Sequence, residues 1–410
     1  MAKLQDGIYW DHDQVPPRHF AIMFLRVAGR PAAAEVDLAL SDLVAIWRGL
    51  ASGQVPHLPG TTVPASGFTW LLAFGRKIFD IKGAARSAPR GLTHTNVVES
   101  ALPGGGGAVV LGGGIDYAPD VTRNPGSEEI AVQFLGDTPL AVARAVVETE
   151  SYLQQARAAS GGLSPVHMGA VYTGFNREDH RSWIGHHDGI SNLEAGRQRQ
   201  DAIEVPPVGL DPKDRWTAAG TYLAFMRLDV DLPLWNALPR QDQDFLVGRD
   251  KITGCPFGSI DAAGRPTAVV GCPVLGTQGP TDPLNAAFRE PPDGVPQQLR
   301  ESHVQRANHH QDPASRPENQ RFFRQGYEFL DPPDGTRPLR AGLNFVSFQA
   351  QISRLRDTLR RNTWLGGVNF GGAPGPRLIH ARAAGFYFCP ADGVPDEAYP
   401  GQSILRAQAM

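Results

Sequence analysis

The feature that most constrains this chain is an order of elements that occurs twice. Residues 19–27 form an apolar run of strand length. Val36, Leu40, Leu43, Trp47 and Leu50 then fall at helical spacing. Residues 68–74 and 130–135 read as further strands, separated by a glycine-rich stretch, residues 103–114, that reads as a loop. Asp137, Thr138 and Pro139 open a second helix, with an N-cap candidate and proline in the first turn. It runs to about residue 155, and residues 168–173 form a fourth strand. The second half repeats the order. Residues 222–228 are a strand, 232–247 a helix interrupted near Pro239, and 256–301 an excursion rich in proline and glycine. Residues 322–329 and 343–349 are strands, 352–362 a helix and 385–388 a final strand. The repeat lies in element order, not in sequence identity. Two βαββαβ units in tandem predict an α+β protein with two antiparallel sheets and helices on one face of each. The expected halves are residues 1–200 and 215–410.

Composition narrows the functional classes. Of 410 residues, 41% are hydrophobic and 20% charged, enough apolar material for a large core. The formal net charge of −3 lacks the basic footprint of a nucleic-acid-binding protein, so no nucleic-acid partner is expected. No apolar run reaches about 20 residues, so no membrane partner is expected. The first residues, MAKLQDGIYWDHD, hold no apolar signal region. The three cysteines, Cys255, Cys272 and Cys389, cannot all pair and form no CxxC. A disulfide framework and a structural zinc site are disfavoured, and the expectation is a cytoplasmic chain with reduced thiols.

Several segments bear on chemistry. Gly104–Gly107 and Gly112–Gly114 lack the GxxxxGK[ST] ending of a phosphate cradle. All three cysteines precede proline. Such a thiolate can ligate heme iron, but a small buried residue before a turn proline explains the pattern as well. Gly185-His186-His187-Asp188-Gly189 offers imidazole and carboxylate ligands, although adjacent side chains on an extended chain point apart. His303 opens a second histidine concentration that ends at His309 and His310. Arg324 stands in an aromatic strand, where its charge needs an anionic partner: a carboxylate, or an anionic ligand.

Together these segments resemble the dye-decolorizing (DyP-type) heme peroxidase family. The resemblance is carried by Gly185-x-x-Asp188-Gly189-Ile190-Ser191-Asn192, His303-Val-x-Arg306-Ala307-Asn308, Arg324-x-Gly326-Tyr327 and Gly342-Leu343-x-Phe345-Val346-Ser347-Phe348-Gln349. It runs in order from about residue 19 to residue 390. It implies paired ferredoxin-like halves with heme b between them, one per chain, held largely by the second half. It implies His303 as axial iron ligand, Asp188 as distal acid–base residue and Arg324 as the charge beside it. Arg306, Phe345, Phe348, His187, Gly189 and Ile190 are implied to line the cofactor. The implied activity is reduction of hydrogen peroxide through an oxoferryl intermediate, with oxidation of an organic donor. The resemblance leaves the oligomeric state open, a homo-oligomer included.

The chain departs from the family pattern in four places. His186 replaces the usual Phe and Leu193 the usual Pro of the distal motif. No acidic residue in 371–380 answers the carboxylate that commonly supports the proximal histidine. Cys255 stands where alanine is commoner. Two other readings remain: a heme-binding or iron-releasing protein, and a biosynthetic heme oxidase specialised for one metabolite. Tryptophans, among them Trp183 and Trp235, are candidates for electron relay.

Overall fold

The computed structural model describes residues 2–11, 14–100, 107–117, 128–162, 164–190, 192–193, 195–269, 296–307, 321–335, 338–359 and 378–406. Its strands are β1 (His19–Val27), β2 (Thr69–Phe74), β3 (Thr95–Ser100), β4 (Gly107–Gly112), β5 (Ile115–Tyr117), β6 (Glu128–Gly136), β7 (Val166–Phe175), β8 (Thr221–Val230), β9 (Phe257–Ile260), β10 (Pro266–Ala268), β11 (Phe323–Asp331), β12 (Arg340–Gln349) and β13 (Ile379–Cys389). Its helices are α1 (Ala33–Ala51), α2 (Pro139–Ala159), α3 (Arg197–Ile203), α4 (Leu232–Ala237), α5 (Arg240–Val247), α6 (Gln297–Arg300), α7 (His303–Ala307), α8 (Ile352–Leu359) and α9 (Gln402–Leu405).

The first half orders its strands β2-β6-β1-β7 and the second β11-β12-β8-β13, all antiparallel. Numbered within each half, both orders are 2-3-1-4, so the duplicated ferredoxin-like pattern is present. The halves are joined where β7 meets β11 at Phe175 and Glu328, and where β2 meets β13 at Phe74 and Phe388. These two pairings close the sheets into a ring, leaving no long free edge at either join. Strand periodicity divides the core accordingly. Phe20, Phe24, Phe225, Tyr327, Phe348 and Tyr387 fill the inside of the ring. Helices α1, α2, α8 and α9 pack on the outward faces, while α3 buries Ala202 and Ile203 in the inner cluster.

The helix expectations hold where burial drives them. Val36, Leu40, Leu43, Trp47 and Leu50 are all buried along α1. Trp47 Nε1 donates to Thr149 Oγ1 at 2.9 Å, tying α1 to α2. Thr138 caps α2 by accepting the Ala141 N–H at 3.3 Å. The helix break at Pro239 separates α4 from α5.

Two expectations are corrected. The stretch read as a glycine loop contains β4, paired with β3, because Ala108, Val109, Val110 and Leu111 supply a strand-forming run inside the glycines. The thiols are not all reduced: Cys255 is disulfide-bonded, while Cys389 is free and buried inside the ring. Cys272 lies outside the described residues. Among the described residues, no helix is long and apolar enough to cross a membrane.

Candidate active site

The site is built on the outward face of β11. Side chains alternate along a strand, so Phe323, Gln325 and Tyr327 enter the ring while Arg324, Gly326 and Glu328 share the opposite face. Phe345, on β12, lies directly across from Gly326 and packs with the outer cluster. Phe348 is three residues on and therefore points the other way. It is fully buried inside the ring against the core, and the structure does not bring it to this site. The site lies where the loop after β7 of the first half meets β11 of the second, outside the space enclosed by the two sheets. That space is packed with aromatic side chains, such as Phe20 stacked on Tyr327 at 4.4 Å.

The loop that follows β7 folds over this face. A tight turn carries it: Ser182 N–H donates to His186 O at 2.9 Å, Gly185 N–H to Ser182 O at 2.8 Å, and Asp188 N–H to His180 O at 2.9 Å. Arg181 pins the turn to the segment after α5, donating to Gly185 O at 2.7 Å and Lys251 O at 2.6 Å. Farther on, Asn192 clamps the loop to β11. Its Nδ2 donates to Arg324 O at 2.7 Å, and its Oδ1 accepts the Arg324 N–H at 3.1 Å. That side-chain amide pairs with both backbone groups of Arg324, tying the loop to the strand. Arg324 Nη2 also donates to Ile190 O at 3.4 Å.

The clamp sets Asp188 above Gly326, where a Cβ would come 3.3 Å from Asp188 Oδ2. The Gly189 N–H donates to Asp188 Oδ1 at 2.7 Å. Arg324 and Glu328 flank that position, each two residues away and so roughly 6–7 Å along the strand. The adjacent histidines go elsewhere. His186 is buried, with Nε2 3.2 Å from Asp244 Oδ1 and its ring edge-on to Trp235. His187 Nε2 lies 3.2 Å from Ile252 O, and burial and Arg181 hold its pKa below the usual histidine value. Three neighbours thus have three different surroundings, and no metal-binding group of three or more such residues exists among the described residues.

His303 opens α7, and it sits close because Gly248 ends α5 in a left-handed turn against it. Any Cβ on Gly248 would strike Ser302 and approach Val304. Burial first, then the charges of Arg324, Arg249 and the nearby His186, push His303 down to about 4. Its imidazole is therefore neutral at physiological pH, with a ring nitrogen able to serve as a ligand. Arg249 is itself buried and pushed down to about 9 by desolvation and by Arg324. Arg306, on the same short helix as His303, is partly buried. Positive charge thus surrounds His303. Asn308 and Ser191 lie outside the described residues. Cys255 and Cys389 are not available as thiolate ligands: the first is in a disulfide, and burial pushes the second's pKa far up.

The sequence alone gave no role to Glu328 or to Arg249, which the structure places near Asp188 and His303. Glu328 follows Arg324 by four residues, the same-face spacing of a strand, which was the signal that could have found it.

Residues 179–393, over half the chain, match the family described as Dyp-type peroxidase, C-terminal. The chain belongs to the DyP-type peroxidase family. Escherichia coli (strain UTI89) deferrochelatase is 24% identical over 226 residues, 54% of this chain and 45% of that protein. The match thus spans less than half the length of this curated relative. Ferric DtpA from Streptomyces lividans has a similar fold, with a TM-score of 0.69, 19% identity and coverage of 98% of this chain and 97% of that one. A DypB variant from Rhodococcus jostii, solved in complex with heme, gives a TM-score of 0.60 at 14% identity, covering 94% and 96%. At these identities the DyP-type structures share the fold with this chain.

Proposed function

We propose that this DyP-type chain binds heme b through His303 and reduces hydrogen peroxide at the expense of an organic donor. The observation that carries the reading is the placement of Asp188 over Gly326 beside Arg324, with a neutral His303 within electrostatic reach of that arginine. The residues fit heme: a neutral imidazole for the iron, an apolar wall that includes Phe345, and positive charge from Arg249 and Arg306 suited to propionates.

Heme, when bound, supplies the redox chemistry that breaks the peroxide O–O bond. The chain's own groups handle protons and charge. Asp188 accepts the proton of the inner peroxide oxygen and returns it to the outer oxygen, which leaves as water. Arg324 presents fixed positive charge to the oxygen that becomes negative. Asn192 holds the Arg324 backbone and hence that charge in place. The Gly189 N–H orients one Asp188 oxygen, leaving Oδ2 over Gly326.

The deferrochelatase relatives favour a second reading, heme binding with iron release. Asp188 and Arg324 separate the two, because holding heme requires neither. The test is an absorption spectrum of the hemin-loaded chain before and after peroxide. A shifted Soret band that returns when donor is added supports the peroxidase. Accumulation of fluorescent iron-free porphyrin supports iron release. His303→Ala should abolish the high-affinity Soret signal while leaving the chain folded by circular dichroism. An unchanged Soret band would remove His303 as ligand.

A further inference from the structure

Glu328 is an acid with few reasons to be where it is. It is 5% exposed, and its Oε1 is buried without a hydrogen-bond partner. The residues opposite it are apolar, Leu343 on β12 and Phe175 on β7. Its charged neighbours come from the loop after β7: the Asp188 carboxylate, and the Arg177–Asp179 pair at the rim. The backbone of Trp183 also hydrogen-bonds to it. On its own strand Arg324 shares its face four residues away, and Asp188 sits over the position between them.

We propose that Glu328 is a second carboxyl group of the distal site, kept neutral by burial so that it and Asp188 together carry one negative charge. The inference rests on the peroxidase reading above. Burial, followed by the Asp188 charge, pushes Glu328 up to about 8, against the pull of Arg177. Two carboxyl groups on one face cannot both ionise cheaply, and the buried one keeps its proton. The consequence is directional. While Glu328 is neutral, Arg324 acts undiminished on the negative charge that develops on peroxide oxygen. Once Glu328 ionises, a second carboxylate opposes that charge and offsets Arg324. The rate of reaction with peroxide should therefore fall as pH rises through the Glu328 ionisation. Glu328 acts through Asp188 and Arg324 and is a positioning residue, not a catalytic one.

The first measurement needs no turnover. Infrared spectra of the full chain, with and without hemin, should show a protonated-carboxyl C=O band at pH 7. The band should shift on 13C-glutamate labelling, bleach as pH rises through about 8, and be missing from Glu328→Gln. Absence of such a band at pH 7 overturns the proposal. The second is the pH profile of the peroxide-induced spectral change in the hemin-loaded chain. Wild type should fall to a lower plateau as pH rises through about 8, and Glu328→Gln should lack that alkaline limb. An identical limb in Glu328→Gln overturns the proposal. If Glu328→Gln does not fold, the infrared titration of Glu129→Gln decides: with that other buried glutamate gone, the band should remain and bleach near pH 8, and its loss overturns the proposal. A hemin-loaded wild type inert to peroxide would sink the peroxidase reading, and the infrared band separates that result from a wrong assignment of Glu328.

Discussion

A Cβ atom on Gly326 would stand 3.3 Å from Asp188 Oδ2 and 3.1 Å from Leu343 Cδ1. The missing side chain of one residue is thus what lets the carboxylate of another rest on the strand that carries Arg324. Gly326→Ala must push Asp188 or Leu343 by a few tenths of an ångström. The expected result is a peroxide reaction slower by on the order of tenfold, since small misplacements of reacting groups are costly. Hemin binding should be retained. Stopped-flow measurement of the peroxide-induced spectral change checks it, and wild-type speed in the alanine variant would mean that the close approach has no functional role.

Asp188, not the adjoining histidines, is expected to be the base. Its Oδ2 is the carboxylate oxygen held over Gly326, while His186 and His187 turn to Asp244 and Ile252. Asp188→Asn should nearly abolish it with hemin content unchanged. His187→Ala should be mild. His186→Ala should chiefly lower stability, because it strips a buried partner from Asp244. Wild-type speed in Asp188→Asn, with His187→Ala inert to peroxide, would reverse this assignment.

Arg324→Leu removes the guanidinium while leaving the backbone groups that Asn192 holds. The rate with peroxide at saturating hemin should drop by about 10²–10³, the usual effect of losing one electrostatic donor. Thermal unfolding should change little by comparison. A rate within a few-fold of wild type would exclude Arg324 from charge stabilisation.

Away from the site, Glu129 makes the stability of the chain pH-dependent. It is buried, accepts the Val27 N–H at 2.8 Å through Oε2, and desolvation pushes it up to about 7 from 4.5. The folded state therefore binds a proton that the unfolded state gives up. The stabilisation is complete below about pH 4.5 and is lost as pH rises through 7. A shift of that size corresponds to roughly 3 kcal/mol. Glu129→Gln should flatten denaturant-unfolding free energies measured between pH 5 and 8. An equally steep dependence in the variant would place the source elsewhere.

The sequence by itself determined the duplicated element order and the residues with strong local reasons to be where they are. Val36 to Leu50 announce α1 because 3.6-residue periodicity needs no distant partner to be visible. Asp188, His303 and Arg324 stood out as candidates because their neighbours in the chain are distinctive. Tertiary structure alone decided which of these meet. Ring closure by Phe175–Glu328 and Phe74–Phe388 encloses a space filled by core side chains, so the loop of the first half meets β11 on its outward face. Phe345 and Phe348 look equivalent in the chain, yet strand alternation sends them to opposite faces, and only the register with β11 says which face holds Arg324. The divergence of His186, His187 and Asp188 depends on Asp244 and Ile252, some 60 residues away in sequence. Glu328 owes its neutrality to burial against a strand of the other half and to a carboxylate delivered by a loop. Burial and charge are properties of three-dimensional neighbours, which spacing along the chain does not encode.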